Sequence, residues 1–210
     1  KGHLVSVIDD LSTGHLENLK DSIDSIEFYN EKIEQFNFKN IVDFDAVIHL
    51  AAQPSVPLSV ENFGDSSSAN LLGTINIIEY CRVNRVPLIY ASSSAIYGNL
   101  TLGDDKDSTI DLLSPYAADK YAMEIYTKIS YKLYQLSSIG LRFFNVYGPR
   151  QDPNSPYSGV ISIFADRILK NQDITINGGY QTRDFVYVND VVNVIYRAIR
   201  VASEKTVCEV

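Results

Sequence analysis

The chain has 210 residues, 45% of them apolar and 21% charged, with a formal net charge of −8. That balance is ordinary for a globular protein with one sizeable core. The acidic excess and the lack of a dense basic run exclude a general nucleic-acid binder, which needs clustered Lys and Arg, and no stretch approaches the roughly 18 apolar residues of a membrane span.

Short apolar runs at 4–8, 25–29, 46–50, 88–91 and 139–144 predict strands. Several are apolar on successive residues, as parallel strands covered on both faces are. Between them, 65–83 carries Leu71, Leu72, Ile75 and Ile78 at helical spacing, and 116–134 carries Ala118, Ala122, Ile125 and Ile129 likewise. This alternation predicts an α/β fold with a doubly wound, Rossmann-like parallel sheet. Right-handed crossovers then put the loops after the strands along one edge, where ligands bind. After Asn145 the texture changes. Gly148-Pro-Arg-Gln-Asp-Pro153 is a turn-rich loop. A helix over about 160–170 follows, then a short strand Ile174-Thr-Ile176, the pair Gly178-Gly179, and a short strand over 185–188. A helix over 190–201 returns to the first lobe, and 206–210 is strand-like. The expected organisation is a nucleotide-binding domain over 1–145, a substrate lobe over 146–189 and a returning helix over 190–204. Lys1 enters a strand almost at once, so the sequence reads as an internal piece, with both domains incomplete and targeting signals not legible. Cys81 and Cys208 form neither a disulfide framework nor a zinc spacing and suit a reducing cytoplasm.

The strongest chemistry is Tyr116-Ala-Ala-Asp-Lys120, downstream of the serine run Ser92-Ser-Ser94. Positions i and i+4 share a helix face, so the Lys120 ammonium is expected to favour ionised Tyr116. A free phenol has a pKa of about 10; a nearby positive charge lowers it toward use as a base. Ser114 and Pro115 predict the start of that helix. Ser93 ends a strand and can share the proton. Together the three point to proton removal from an alcohol as a hydride leaves its carbon. A Ser-His-Asp hydrolase is excluded by the lack of a G-x-S-x-G elbow. Asp9 and Asp10 end the first strand and suit either ribose hydroxyls or a solvated turn. Small Ala51 and Ala52, after His49 and Leu50, let a flat ligand approach the backbone. His49 itself is expected to be packed and hydrogen-bonded, with no second His at metal-ligand spacing. Asn70 is expected either to brace a loop or to be a plain polar residue. Asn145, Arg150 and Arg183 suit a diphosphate or surface ion pairs.

The stretches Val7-Ile-Asp-Asp-Leu-Ser-Thr-Gly-His15, His49-Leu-Ala-Ala-Gln53, Asn70-Leu-Leu-Gly-Thr74, Ala91-Ser-Ser-Ser-Ala-Ile-Tyr-Gly98, Ser114-Pro-Tyr-Ala-Ala-Asp-Lys-Tyr121, Leu141-Arg-Phe-Phe-Asn-Val-Tyr-Gly-Pro-Arg-Gln-Asp-Pro153 and Gln181-Thr-Arg-Asp-Phe-Val-Tyr-Val188 resemble the extended short-chain dehydrogenase/reductase family. The likeness is to its NAD-dependent nucleotide-sugar epimerases and dehydratases, and within them to 4-epimerases of UDP-N-acetylglucosamine or UDP-glucose. The resemblance implies NAD as cofactor, a UDP-sugar as substrate, a cytoplasmic homodimer built on helices 65–83 and 116–134, and supply of polysaccharide precursors. It implies Tyr116 as base, Lys120 as its partner and a cofactor ligand, and Ser93 as the proton-sharing hydroxyl. Asp9, Leu50, Ala51, Ala52, Asn70 and Phe143 would contact NAD; Ser94, Asn145, Arg150, Val160, Thr175, Asn177 and Arg183 would contact substrate. Dehydratases of the family carry an Asp-Glu pair where this chain has Ser94 and Ala95, which favours epimerisation. Lys32 stands where the family often has an adenine-binding Asp, and the family's glycine-rich turn has no counterpart in this sequence. The rivals are a dehydratase or reductase using the same three residues, and a non-catalytic nucleotide-binding protein.

Overall fold

The computed structural model describes residues 2–41, 44–99, 109–155, 157–176 and 178–210. Its strands are β1 (Val5–Ile8), β2 (Ile26–Tyr29), β3 (Val47–His49), β4 (Leu88–Ser93), β5 (Ser138–Phe143), β6 (Asn145–Tyr147), β7 (Phe185–Tyr187) and β8 (Cys208–Glu209). All pairings are parallel. β1 pairs with β2, β3-β4-β5-β8 form the main ladder, and β6 pairs with β7. β1 and β3 share no ladder, but Ile8 and Val47 pack into one core.

The helices are α1 (Val56–Glu61), α2 (Phe63–Ser67), α3 (Gly73–Asn84), α4 (Pro115–Tyr134), α5 (Val160–Leu169) and α6 (Val188–Glu204). Alternation along β4 explains the two-sided winding. Leu88 and Tyr90 face Ile77, Ile78, Cys81 and Met123 of α3 and α4. Ile89, between them, faces Val191, Ile195, Ala198 and Ala202 of α6. Those four α6 positions recur at helical spacing and bury one stripe. Each fully buried aliphatic side chain here contributes about 1.5–3 kcal/mol, so β4 is the best-anchored strand, and it carries Ser93 at its end. Tyr90 lies across β5 at Gly140, where an added Cβ would come within 2.5 Å of the Tyr90 ring.

The predicted doubly wound arrangement is present, with differences in detail. The segment 174–176 is not a strand; Thr175 and Ile176 are exposed. It pairs with no described strand, so no ladder fixes it as one, and its exposed backbone is left to water. Helix α1 was not anticipated, although Ser55 caps it by accepting from Leu58 N at 3.1 Å and Pro57 sits in its first turn. α2 runs into α3 through one π turn, Ser68–Leu72, a feature frequent at functional sites.

Candidate active site

Helix α4 begins as its sequence demands. Ser114 Oγ accepts from Ala117 N at 3.1 Å, and Pro115 occupies the first turn. Tyr116, Lys120 and Glu124 then fall at i, i+4 and i+8 on one face, against β4. Lys120 Nζ donates to the Ala91 carbonyl at 2.8 Å, and Glu124 accepts from Ser92 Oγ at 2.5 Å. Ser93, also buried, accepts from Ala95 N at 3.1 Å, and its side chain faces the Tyr116 phenol. A hydroxyl, a phenol and an ammonium are therefore held together at the end of β4, as the spacing predicted.

Their electrostatics differ from the expectation. Burial pushes the Tyr116 phenol up, and the Ser93 hydrogen bond pulls it only partly back. The Lys120 ammonium lies 5.8 Å from the ring centroid and donates to the Ala91 carbonyl. Burial also lowers Lys120 to about 8, while the Asp119 charge raises it. Asp119 is itself buried, which raises its pKa, and both its oxygens accept from Ser67 Oγ at 2.9 Å. Ser67, on α2, was not foreseen; nothing local in the sequence links positions 52 apart.

On the other side of the edge lie the residues expected at a cofactor. Asp9 follows β1 directly, and its Oδ1 accepts from Leu11 N at 2.8 Å. A cleft of about 430 Å³ beside it is lined by Asp10, Ser12, Asn30, Glu31, Lys32 and Gln35. Leu50 is exposed after β3, with Ala51 and Ala52 half-buried. Asn70, in the π turn, braces this loop: its Oδ1 accepts from Gln53 N at 2.8 Å and its Nδ2 donates to Gln53 O at 3.2 Å. Its role is thus to shape the loop. His49 is buried and bonded to Thr74 Oγ1 at 2.9 Å, as expected of a packed histidine. Phe143 ends β5 directly beside Ser93.

These residues fit a dinucleotide. Among the described residues, the buried Lys120 ammonium has one hydrogen-bond acceptor for three N–H groups. Asp9 keeps one carboxylate oxygen that takes no bond from the described residues. An acid after β1 and an ammonium against β4 are thus both available for hydroxyl groups. No group of three side chains able to hold a metal ion occurs among the described residues, and no described helix is long and apolar enough to cross a membrane.

The expected substrate residues are less concentrated. Ser94 adjoins Ser93. Asn145 bonds to Asp184 O through both its backbone N and its Nδ2, at 3.0 Å each. Arg183 lies just before β7 and donates to Thr182 O at 2.7 Å. Val160 opens α5, Thr175 is exposed, and Asn177 lies outside the described residues. Arg150 has a left-handed backbone, φ 72°, and donates to Asn18 O at 2.7 Å and Asp21 at 3.1 Å. His15 meets Asp152 at 3.1 Å. The loop after β6 thus touches the segment after β1, a contact between residues some 130 positions apart that the sequence reading missed.

A parallel sheet whose edge carries the Asp9 acid, a bracing amide and a Ser/Tyr/Lys set is a candidate site for a dinucleotide and for alcohol–ketone chemistry. The family model described as the NAD dependent epimerase/dehydratase family matches residues 1–209. A Methanocaldococcus jannaschii protein, named provisionally as a UDP-glucose 4-epimerase, is 43% identical over 210 residues, 95% of this chain and 67% of its own length. Among solved structures, UDP-N-acetylglucosamine 4-epimerase from Methanobrevibacter ruminantium, in complex with UDP-N-acetylmuramic acid, superposes with a TM-score of 0.85 at 36% identity, covering 97% of this chain and 66% of that one. The UDP-glucose 4-epimerase of Thermus thermophilus, in complex with NAD, gives 0.77 at 35% identity, covering 92% and 66%. The chain belongs to the NAD-dependent epimerase/dehydratase family. It spans about two thirds of the length of these relatives.

Proposed function

We propose that the protein is an NAD-dependent 4-epimerase of a UDP-hexose, either UDP-glucose/UDP-galactose or the N-acetylated pair. The observation that carries this reading is the Ser93/Tyr116/Lys120 set at the end of β4, with Ser94 and Ala95 beside it and no acid there to expel water. Ser93 and Tyr116 hold the sugar 4-hydroxyl, and the phenol takes its proton as the C4–H bond breaks. Because burial raises the phenol's pKa, positive charge beyond Lys120 would help Tyr116 act as a base. NAD, when bound, supplies that charge and accepts and returns the hydride, so the reaction has no net redox change. Lys120, with donors to spare, and Asp9 hold the cofactor riboses. The 4-keto sugar turns over between the two transfers while Asn145 and Arg183 hold the nucleotide diphosphate. Arg150 joins them by exchanging its exposed Asp21 partner, a pair that contributes little. In this reading, residues 1–145 serve the cofactor, 146–189 the substrate, and 190–204 the cofactor domain again.

The test is direct. The intact protein, incubated with UDP-glucose and with UDP-N-acetylglucosamine, is expected to equilibrate at least one of them with its C4 epimer, without accumulating NADH or losing water. Stoichiometric NADH turnover would assign a reductase, and a dehydrated product a dehydratase. Protein lacking NAD and inert to every UDP-hexose would support the non-catalytic rival. A cytoplasmic setting agrees with the soluble substrates invoked and with two cysteines that are not paired.

A homodimer belongs to the same proposal. Ile125, Tyr126, Ile129 and Leu133 are all exposed along one side of α4, where a second copy's helix would cover them. Ile129→Arg is expected to convert the dimer to monomer in analytical ultracentrifugation while leaving the fold intact. An unchanged sedimentation coefficient would remove this face from consideration.

A further inference from the structure

We infer that the buried Glu124–Arg142 pair is a positioning device that sets Ser93 against Tyr116 for the epimerase chemistry, an inference that rests on the function proposed above. Glu124 is fully buried. Its Oε1 accepts from Ser92 Oγ at 2.5 Å and from Arg142 Nε at 2.9 Å, and its Oε2 accepts from Arg142 Nη2 at 2.7 Å. The fork-to-fork geometry is the strong, orientation-specific form of this pair. Glu124 is carried by α4, two turns after Tyr116. Arg142 is carried by β5, and its neighbour Phe143 lies beside Ser93. Ser92 immediately precedes Ser93. One ion pair therefore joins the helix bearing the base, the strand bearing the hydroxyl and the strand beside it.

The pair also reaches past Ser93. The Arg142 guanidinium lies 5.0 Å from the centre of the Tyr97 ring, and Tyr97, buried, stacks on Phe144 at 6.2 Å. Ser93 is thus pinned from the residue before it and from the turn after it by the same guanidinium–carboxylate unit. Stability alone does not explain the arrangement. A buried ion pair contributes little net stability compared with well-packed apolar residues of similar size, because desolvation offsets the attraction. What it supplies is direction: a helix sliding or rotating on an apolar surface meets little resistance, whereas three fixed hydrogen bonds allow one register. A misplacement of about 1 Å between reacting groups costs on the order of 100-fold in rate.

The experiment separates position from stability. In the intact holoenzyme, Glu124→Leu with Arg142→Leu removes both charges together and leaves neither buried alone. It is expected to fold and to keep the wild-type NAD content and KM while kcat falls on the order of 100-fold. Ser92→Ala, which removes one bond, is expected to lower kcat by less, again without a change in KM. A double variant that folds, holds NAD and turns over at the wild-type rate would overturn the inference. If the double variant does not fold, Glu124→Gln and Ser92→Ala decide: a fall in kcat with unchanged KM supports positioning, and loss of melting temperature with unchanged kcat overturns it. Wild-type protein inactive on every UDP-hexose removes the proposed function and this inference together; an active wild type with an equally active double variant removes the inference alone.

Discussion

Tyr116→Phe is expected to lower kcat for UDP-hexose epimerisation by roughly 10²–10⁴-fold, the range assigned to a positioned acid–base group, with UDP affinity unchanged. The substitution removes one oxygen and leaves the ring. The ring's place is set by contacts that the hydroxyl does not make: Tyr116 N donates to Ser59 Oγ at 3.2 Å, the Ser114 cap holds the first turn, and Lys120 stays on the Ala91 carbonyl. The fold should therefore be retained, and NAD should still bind through Asp9 and Lys120. Ser93 remains, but a serine hydroxyl has no tendency to ionise at neutral pH and cannot replace the phenol as the final acceptor. Steady-state turnover and UDP titration calorimetry on the same preparation check both halves of the expectation. A Phe variant that epimerises at the wild-type rate would mean that the proton goes elsewhere, and the assignment of this edge as an active site would fall with it.

How far the sequence leads depends on the distance over which a signal acts. β4 and α6 are legible because burial imposes a period along a short stretch; the α4 start is written in Ser114 and Pro115, while the apolar period read along it, at Ala118, Ile125 and Ile129, falls on its exposed side. Tyr116 and Lys120 are legible for the same reason: their spacing alone puts them on one face. Ser93 needs one further step, that a strand end and the next helix meet at a sheet edge. Glu124 continues the Tyr116 and Lys120 face by another i+4 step, so an acid there was a usable hint. Its partner was not readable, since Arg142 arrives through β5. The Ser67–Asp119 and His15–Asp152 contacts depend wholly on how distant segments dock. The surroundings of the Tyr116–Lys120 pair have the same origin. Helical spacing brings an ammonium near a phenol, but the nearby Ala91 carbonyl, which takes the ammonium's hydrogen bond, belongs to β4. Arg150 shows the reverse: an arginine suited to a diphosphate also suits the carboxylate of Asp21, and composition does not choose between them.

The acid stability of the protein is expected to be governed in large part by His49. This side chain is buried, and Thr74 Oγ1 spends its own hydrogen on the Asn70 carbonyl at 2.6 Å. The hydroxyl must therefore accept from His49 Nε2, which fixes the neutral ring with its proton on that nitrogen. Burial first, and the Lys120 charge second, lower the ring from its ordinary 6.5 to about 3. The folded protein keeps His49 neutral throughout that interval, while the unfolded chain binds a proton below 6.5. The unfolded state thus holds more protons, and stability falls as pH drops from about 6.5 toward 3. The full shift corresponds to on the order of 5 kcal/mol. Lowered carboxylates such as Asp152 and Glu79 lose stability in acid too, and Asp119, raised by burial, opposes them, so the His49 share is read as a difference. Urea unfolding of wild type and His49→Asn between pH 7 and pH 4.5 supplies it: the variant should be weaker at neutral pH, from lost packing, yet lose less on acidification. His49 ends β3, and its partner Thr74 bonds in turn to the carbonyl of Asn70, whose side chain braces the loop at Gln53, so the acid effect acts next to the candidate cofactor end of the sheet. Parallel curves for the two proteins would show that the ring charges without cost and that the Thr74–Asn70 chain does not hold it neutral.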